Sequence, residues 1–189
     1  MYGMVNQAVE QMLVRRFGET MWFQIREKAG VDEEVFISNE SYPDELTYNL
    51  IGAAQACTGV AAGEILEWLG EFWILETAQR GYGHLMKSSG KTFAEFIHNL
   101  PNFHTRIVLM YPQLQPPKFK VVDVDAHTLE LHYYSERQGL APFLLGLLKG
   151  LGKMFAVTLE ITPTAQRSEV GDHDVFMIRW QASGANPSS

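Results

Sequence analysis

The sequence predicts an α+β fold: a helical N-terminal lobe packed on a C-terminal lobe in which helices accompany a four-stranded antiparallel sheet. Two observations carry this. Apolar residues recur at three- and four-residue spacing through about the first hundred positions, and beyond Pro112 the period changes to two. The change falls in the stretch YPQLQPPKF, whose three prolines make a stiff connector.

Met4, Val5, Ala8, Val9 and Met12 recur at helical spacing, and Gly18 can close that helix. A second helix over 20–28 carries Trp22, Phe23 and Ile25 and ends near Gly30. Pro43-Asp44-Glu45 starts a third, with Leu46, Leu50 and Ala53, which ends at Gly59. A fourth, over 62–79, holds Ile65, Leu66, Leu69, Phe72 and Trp73, and Gly81 and Gly83 then break the chain. Thr92 followed by Glu95 fits a capping box. Pro101 marks a restart or kink, and helical periodicity continues to about Met110.

In the second half Phe119, Val121 and Val124 suggest a strand, and Asp125-Ala126-His127 a turn. Residues 127–136 alternate: Leu129, Leu131 and Tyr133 face one way, Glu130 and His132 the other. A short helix is expected over 142–151 and two further strands over 155–162 and 175–180, with a polar tail over 181–189. The expected organisation is one domain over 1–180, its helical lobe about 1–60 and its α/β lobe about 61–180.

Composition narrows the function classes. A chain of 189 residues can bury a sizeable core. Its net charge of −7, with no basic run, gives nucleic-acid binding no electrostatic support. The single cysteine, Cys57, cannot form an intramolecular disulfide and reads as a small core residue. The opening residues lack the pattern of a signal peptide, and no apolar run reaches the length of a membrane span. The expectation is a cytoplasmic protein with no membrane partner.

Two constellations carry chemistry. On the helix around Pro101 the apolar stripe runs Phe96, Ile97, Leu100, Phe103, Ile107, Val108 and Tyr111, and His104 lies on that face. A lone imidazole projecting into an apolar cavity suits an axial ligand of heme iron. The commoner fate of such a residue is a core histidine bonded to a backbone carbonyl. The second constellation is Tyr133, Ser135 and Arg137, which continue the inward strand face. An inward guanidinium is costly unless paired, and three donors two residues apart suit a carboxylate or phosphate. Equally, the strand can end near Tyr134 and leave 135–138 as a solvated turn. Asp172-His173-Asp174 reads as a hairpin turn rather than a metal site, and Gly81-Tyr82-Gly83 as a loop.

Taken together these residues resemble a known family. Tyr133-Tyr134-Ser135-Glu136-Arg137 is a YxSxR motif, 29 residues after the His of Leu100-Pro101-Asn102-Phe103-His104, with YPQLQPP between them. With the MYGMVN start, they resemble heme nitric oxide/oxygen-binding (H-NOX) domains over 1–180, in particular cyanobacterial ones and the heme domain of the soluble guanylate cyclase β subunit. The resemblance implies a heme b between the two lobes and His104 as the iron ligand. It implies that Tyr133, Ser135 and Arg137 bind the propionates and that Pro117 presses on the macrocycle. Trp73, Phe143 and Leu147 match distal-pocket positions; with Val5 and Leu69 they are large apolar residues on the expected helices, which by themselves read as an ordinary apolar wall. Phe143 stands where oxygen-binding members carry a tyrosine, so NO and CO are the expected ligands and O2 is expected to be excluded. The implied output is release of the His104 helix to a partner protein of histidine kinase or cyclase type, without catalysis by this chain. The alternatives are a heme enzyme of peroxide or oxygen chemistry and a heme-free carrier of an apolar carboxylic acid.

Overall fold

The computed structural model describes residues 1–166 and 171–183. Its N-terminal part is helical: α1 (Gly3–Phe17), α2 (Glu19–Ala29), α3 (Asp44–Thr58) and α4 (Ala62–Phe72). Val9, Leu13, Ile25, Leu50 and Ile65 are fully buried among them. Each such side chain contributes roughly 1.5–3 kcal/mol, so packing rather than intrinsic propensity holds these short helices. Gly30 ends α2 in the left-handed conformation (φ 66°), which a side chain would disfavour. Cys57 is half-buried against this core.

The helix expected over 62–79 is not uniform. After α4 the chain widens into one π-helical segment, Trp73–Thr77, and continues as α5 (Ala78–Ser88). Gly81 and Gly83 break the helix as expected: α5 is two helical pieces that meet across a kink at Tyr82 (φ −149°, ψ 33°), between the two glycines. Next come α6 (Phe93–His98) and α7 (Leu100–Met110). The Thr92 hydroxyl accepts the Glu95 N–H at 3.2 Å. The Glu95 carboxylate returns to the Lys91 N–H at 2.7 Å instead of to Thr92, so the capping box is displaced by one residue.

The C-terminal part holds β1 (Lys118–Asp125), β2 (Thr128–Tyr134), α8 (Ala141–Met154), β3 (Val157–Ala165) and β4 (Asp174–Ala182). The four strands form one antiparallel sheet in the order β1-β2-β4-β3. Leu129, Leu131 and Tyr133 are buried, as are Phe176 and Ile178 opposite them, so the alternation selects the buried face. Three strand ends differ from expectation. β2 stops at Tyr134, because its last rung to β4 is Tyr133↔Asp174. Phe155 caps α8 instead of opening β3. Gln181 and Ala182 pair with Thr158 and Val157, so they belong to β4 and not to a tail. Residues 184–189 of that expected tail lie outside the described residues.

The two parts meet along α4 and α8. A Cβ built at Gly146 would lie 1.9 Å from the Glu67 carbonyl oxygen, and one at Gly70 would lie 2.2 Å from that of Phe143. Only glycine allows so close an approach of backbones. Trp73 packs against both hydrophobic cores at this junction.

Candidate functional site

A cavity of about 230 Å³ lies where α1, α4, α5, α7, α8 and the end of β2 converge. Its wall includes all nine residues singled out from the sequence: His104, Tyr133, Ser135, Arg137, Pro117, Val5, Trp73, Phe143 and Leu147. Most of the remaining wall is aliphatic or aromatic, including Leu144, Ile107 and Phe119. Among the described residues lining it there is no carboxylic acid and no second histidine.

His104 sits one residue after the buried Phe103 on α7, and its ring is stacked on Phe119 (centroids 5.5 Å apart, planes at 25°). Its Nδ1 is buried with no hydrogen-bond partner among the described residues. That removes the reading of a core histidine whose Nδ1 is satisfied by a carbonyl. Burial pulls its pKa down to about 4, so at neutral pH the ring is uncharged, the form that donates a lone pair to a metal.

Polar groups gather at the end of β2. Tyr133 is buried against Phe119, with ring centroids 5.6 Å apart. Burial pushes its hydroxyl pKa up, and a hydrogen bond with Ser135 opposes the shift. Ser135 and Arg137 lie beyond the strand, so the first half of the turn reading holds. The second half fails for Arg137, because its side chain folds back into a network. Its Nε donates to Asp44 Oδ2 at 2.7 Å and its Nη1 to the Gln115 carbonyl at 2.9 Å. The Arg137 N–H donates to Ser135 Oγ at 3.1 Å. Asp44 Oδ1 also accepts the Met1 ammonium at 2.5 Å. Burial would raise the Asp44 pKa, but these hydrogen bonds and positive charges outweigh it and hold the carboxyl below its usual range.

Two residues that shape the site are not visible in the sequence. Asp44 is 93 positions from Arg137 and reads only as an acid in the first turn of α3. Tyr82 lines the cavity, and its glycine neighbours disguise it as a loop residue. Burial raises its hydroxyl pKa, and a hydrogen bond with Trp73 opposes the shift. Trp73 also meets Phe143 edge-on, with ring centroids 6.5 Å apart.

The site thus has an apolar body, one neutral imidazole and a cationic, hydroxyl-bearing end. Those features fit a heme: a nitrogen for the iron, donors for two carboxylates and flat apolar walls. His173 of the Asp172–Asp174 stretch is elsewhere, bonded to His132. No group of three or more metal-ligating side chains occurs among the described residues.

A model of the family described as haem-NO-binding matches residues 2–163. Two soluble guanylate cyclases of Caenorhabditis elegans, gcy-34 and gcy-32, are 28% and 29% identical to the chain over 95% and 94% of its length. The chain spans 28% of the length of each of these relatives. An H-NOX protein from S. oneidensis in the Fe(II)NO state has a TM-score of 0.86 and 20% identity, covering 96% of this chain and 99% of that one. The Fe(II) unliganded H-NOX protein from K. algicida has a TM-score of 0.84 at 23% identity, covering 96% of this chain and 97% of that one. At these identities the solved structures speak to the fold, a set of helices with a four-stranded antiparallel sheet. The family match spans the cavity, its histidine and the polar end of β2, and the chain belongs to the haem-NO-binding (H-NOX) family.

Proposed function

We propose that residues 1–180 form a sensor that holds heme b through His104, binds NO and CO, and excludes O2. The observation that carries this reading is the neutral His104, whose buried Nδ1 has no protein partner among the described residues, on the wall of an apolar cavity. Bound heme would supply an iron that coordinates a diatomic gas. His104 would hold that iron, and Tyr133, Ser135 and Arg137 would hold the carboxylates, with Arg137 already shaped to grip one in Asp44. Pro117 would bear on the macrocycle from the cavity wall.

Ligand choice follows from the wall. O2 gains more than NO or CO from a hydrogen-bond donor. Phe143 offers none, and the Trp73 N–H, which can only donate, is taken up by the Tyr82 oxygen. The lack of acidic side chains or a second histidine among the described lining residues supports a binding role over peroxide chemistry, which needs acid–base groups. Output would pass through α7 when His104 is released, to a partner of histidine kinase or cyclase type.

The test is the absorption spectrum of the reduced protein alone and with NO, CO and air, beside His104→Gly. Expected are a Soret band that shifts with NO and with CO but not with air, and loss of heme in His104→Gly that added imidazole reverses. Absence of the band after heme supply would favour the carboxylic-acid carrier. A stable shift in air would overturn O2 exclusion, and turnover of peroxide would favour the enzyme.

A further inference from the structure

On the opposite face of the sheet, β2 carries a second polar cluster that the heme reading leaves unused. His132 and His173 face each other, Nδ1 to Nε2, at 3.0 Å. His173 Nδ1 lies 2.5 Å from Asp172 Oδ1, and His132 Nε2 lies 3.8 Å from Glu130 Oε2. Tyr134 is stacked on His173, with centroids 4.2 Å apart and planes at 22°. Both imidazoles are largely sheltered, their side chains 18% and 15% exposed. The cluster closes the last rungs between β2 and β4, His132↔Val175 and Tyr133↔Asp174. Ser135 is the next residue after Tyr134.

We propose that the His132–His173 pair is an acid-sensitive clasp that holds the end of β2 and thereby sets how firmly Tyr133, Ser135 and Arg137 are presented to the cavity. The second half of this inference rests on the function proposed above. The proton positions follow from the contacts. The Asp172 carboxylate only accepts, so His173 Nδ1 carries a hydrogen. In neutral His173 the Nε2 is then an acceptor, and the hydrogen between the rings belongs to His132 Nδ1. A first added proton goes to His132 Nε2, beside the Glu130 carboxylate, and the ring contact survives. A second, on His173 Nε2, sets one N–H against another, and the rings must part.

The surroundings fix the direction of the response. Lys120 of β1 is opposite His132, and Lys118 is opposite Tyr134. Glu130 shares the face on β2, Asp172 and Asp174 flank His173, and the β3 residues at the nearest rungs, Ala165 and Pro163, do not titrate. Burial, then His173 and Lys120, favour neutral His132, while Glu130 opposes them. A charged His173 is among those causes, so the proton that the folded corner resists is the pair's second, the one that parts the rings. The unfolded chain takes it up near the ordinary histidine value of 6.5, before the folded one does. The corner is therefore firmest above that pH and loosens as pH falls below it.

The test compares wild type, His132→Gln and His173→Gln by amide hydrogen exchange at the β2–β4 rungs between about pH 5 and 8. In wild type, protection at residues 132–134 and 174–175 should fall by about tenfold more than at the Leu129↔Ile178 rung. Both variants should lose that extra dependence. Imidazole nitrogen shifts should show His173 protonated at Nδ1. Transfer of heme to apomyoglobin should accelerate in the same range in wild type and stay flat in the variants. An identical pH profile in all three proteins, or His173 protonated at Nε2, would overturn the clasp. Normal loosening with flat heme transfer would overturn its link to the site. The exchange arm needs no heme, so failure of the heme reading itself shows separately as a missing Soret band.

Discussion

The cavity has two helical walls built in opposite ways. On one side α4 and α8 meet backbone to backbone at Gly70 and Gly146, flanked by the Lys149–Glu67 and Lys153–Glu71 ion pairs. This wall positions Trp73, Phe143 and Leu147, and it has no slack. On the other side α7 buries only Leu100, Phe103 and Ile107, and its outer residues Leu109 and Met110 are 79% and 53% exposed. It joins the six-residue α6 at Asn99. His104 rides on this shallowly seated helix. A closely packed wall resists displacement, whereas a helix with few buried contacts yields at low cost. A disturbance at His104 would therefore be taken up by α7, while the opposite wall keeps its shape.

The largest expected effect tests the rigid wall. Gly146→Val must push the Glu67 backbone aside, which we expect to cost about 3 kcal/mol in urea unfolding. Gly52, on the exposed side of α3, is different, since a Cβ added there meets nothing within 4 Å. Gly52→Ala should instead stabilise by roughly 0.5–1 kcal/mol, through helix propensity alone. Equal costs at the two glycines would erase the contrast between the walls.

The contrast was only partly legible in the sequence. The stripe Leu100, Phe103, Ile107 on α7 and the alternation Leu129, Leu131, Tyr133 on β2 are visible because one buried face imposes a period. The residues opposite His104 are less legible. Trp73, Phe143 and Leu147 are large apolar side chains like many others, and only the family resemblance places them in a pocket. The π-helical segment over Trp73–Thr77 has no signature, since five residues cannot separate a period of 3.6 from a wider one. Tyr82 is concealed because two glycines mark a break in the chain, and nothing local says that the kinked residue between them turns into the cavity. The end of β2 is obscured because Ser135 and Arg137 continue the alternation after the partner strand has run out at Asp174. Asp44 is the hardest case, because nothing local announces a partner on another element.

A smaller effect comes from the link between α3 and the loop after β2. The Asp44 carboxyl is held below its ordinary pKa of 3.8, so its contribution is complete above that value and disappears as pH falls through the lowered one. The group is partly exposed and solvent screens it, so the contribution is under about 1 kcal/mol. Asp44→Ala should lower stability by that amount at pH 7. The gap between variant and wild type should narrow in acid unfolding curves as pH falls below 3.8 and through the lowered value. A gap that persists undiminished there would mean that Asp44 acts through packing and not through charge.

The smallest effect is the most informative about the yielding wall. Leu109 and Met110 are apolar, yet they face outward, so the fold gains little from them. Leu109→Ser and Met110→Ser should each change stability by no more than about 0.5 kcal/mol and leave the heme spectrum unaltered. Ile107, one turn back along the helix from Met110, is 5% exposed and offers the matched control. Ile107→Val removes one buried methyl group and should cost about 1 kcal/mol. A cost at Leu109 as large as that at Ile107 would show that the outer face of α7 is braced within the domain. The helix carrying His104 would then be as firmly held as the wall across the cavity, and release of His104 could not move it cheaply.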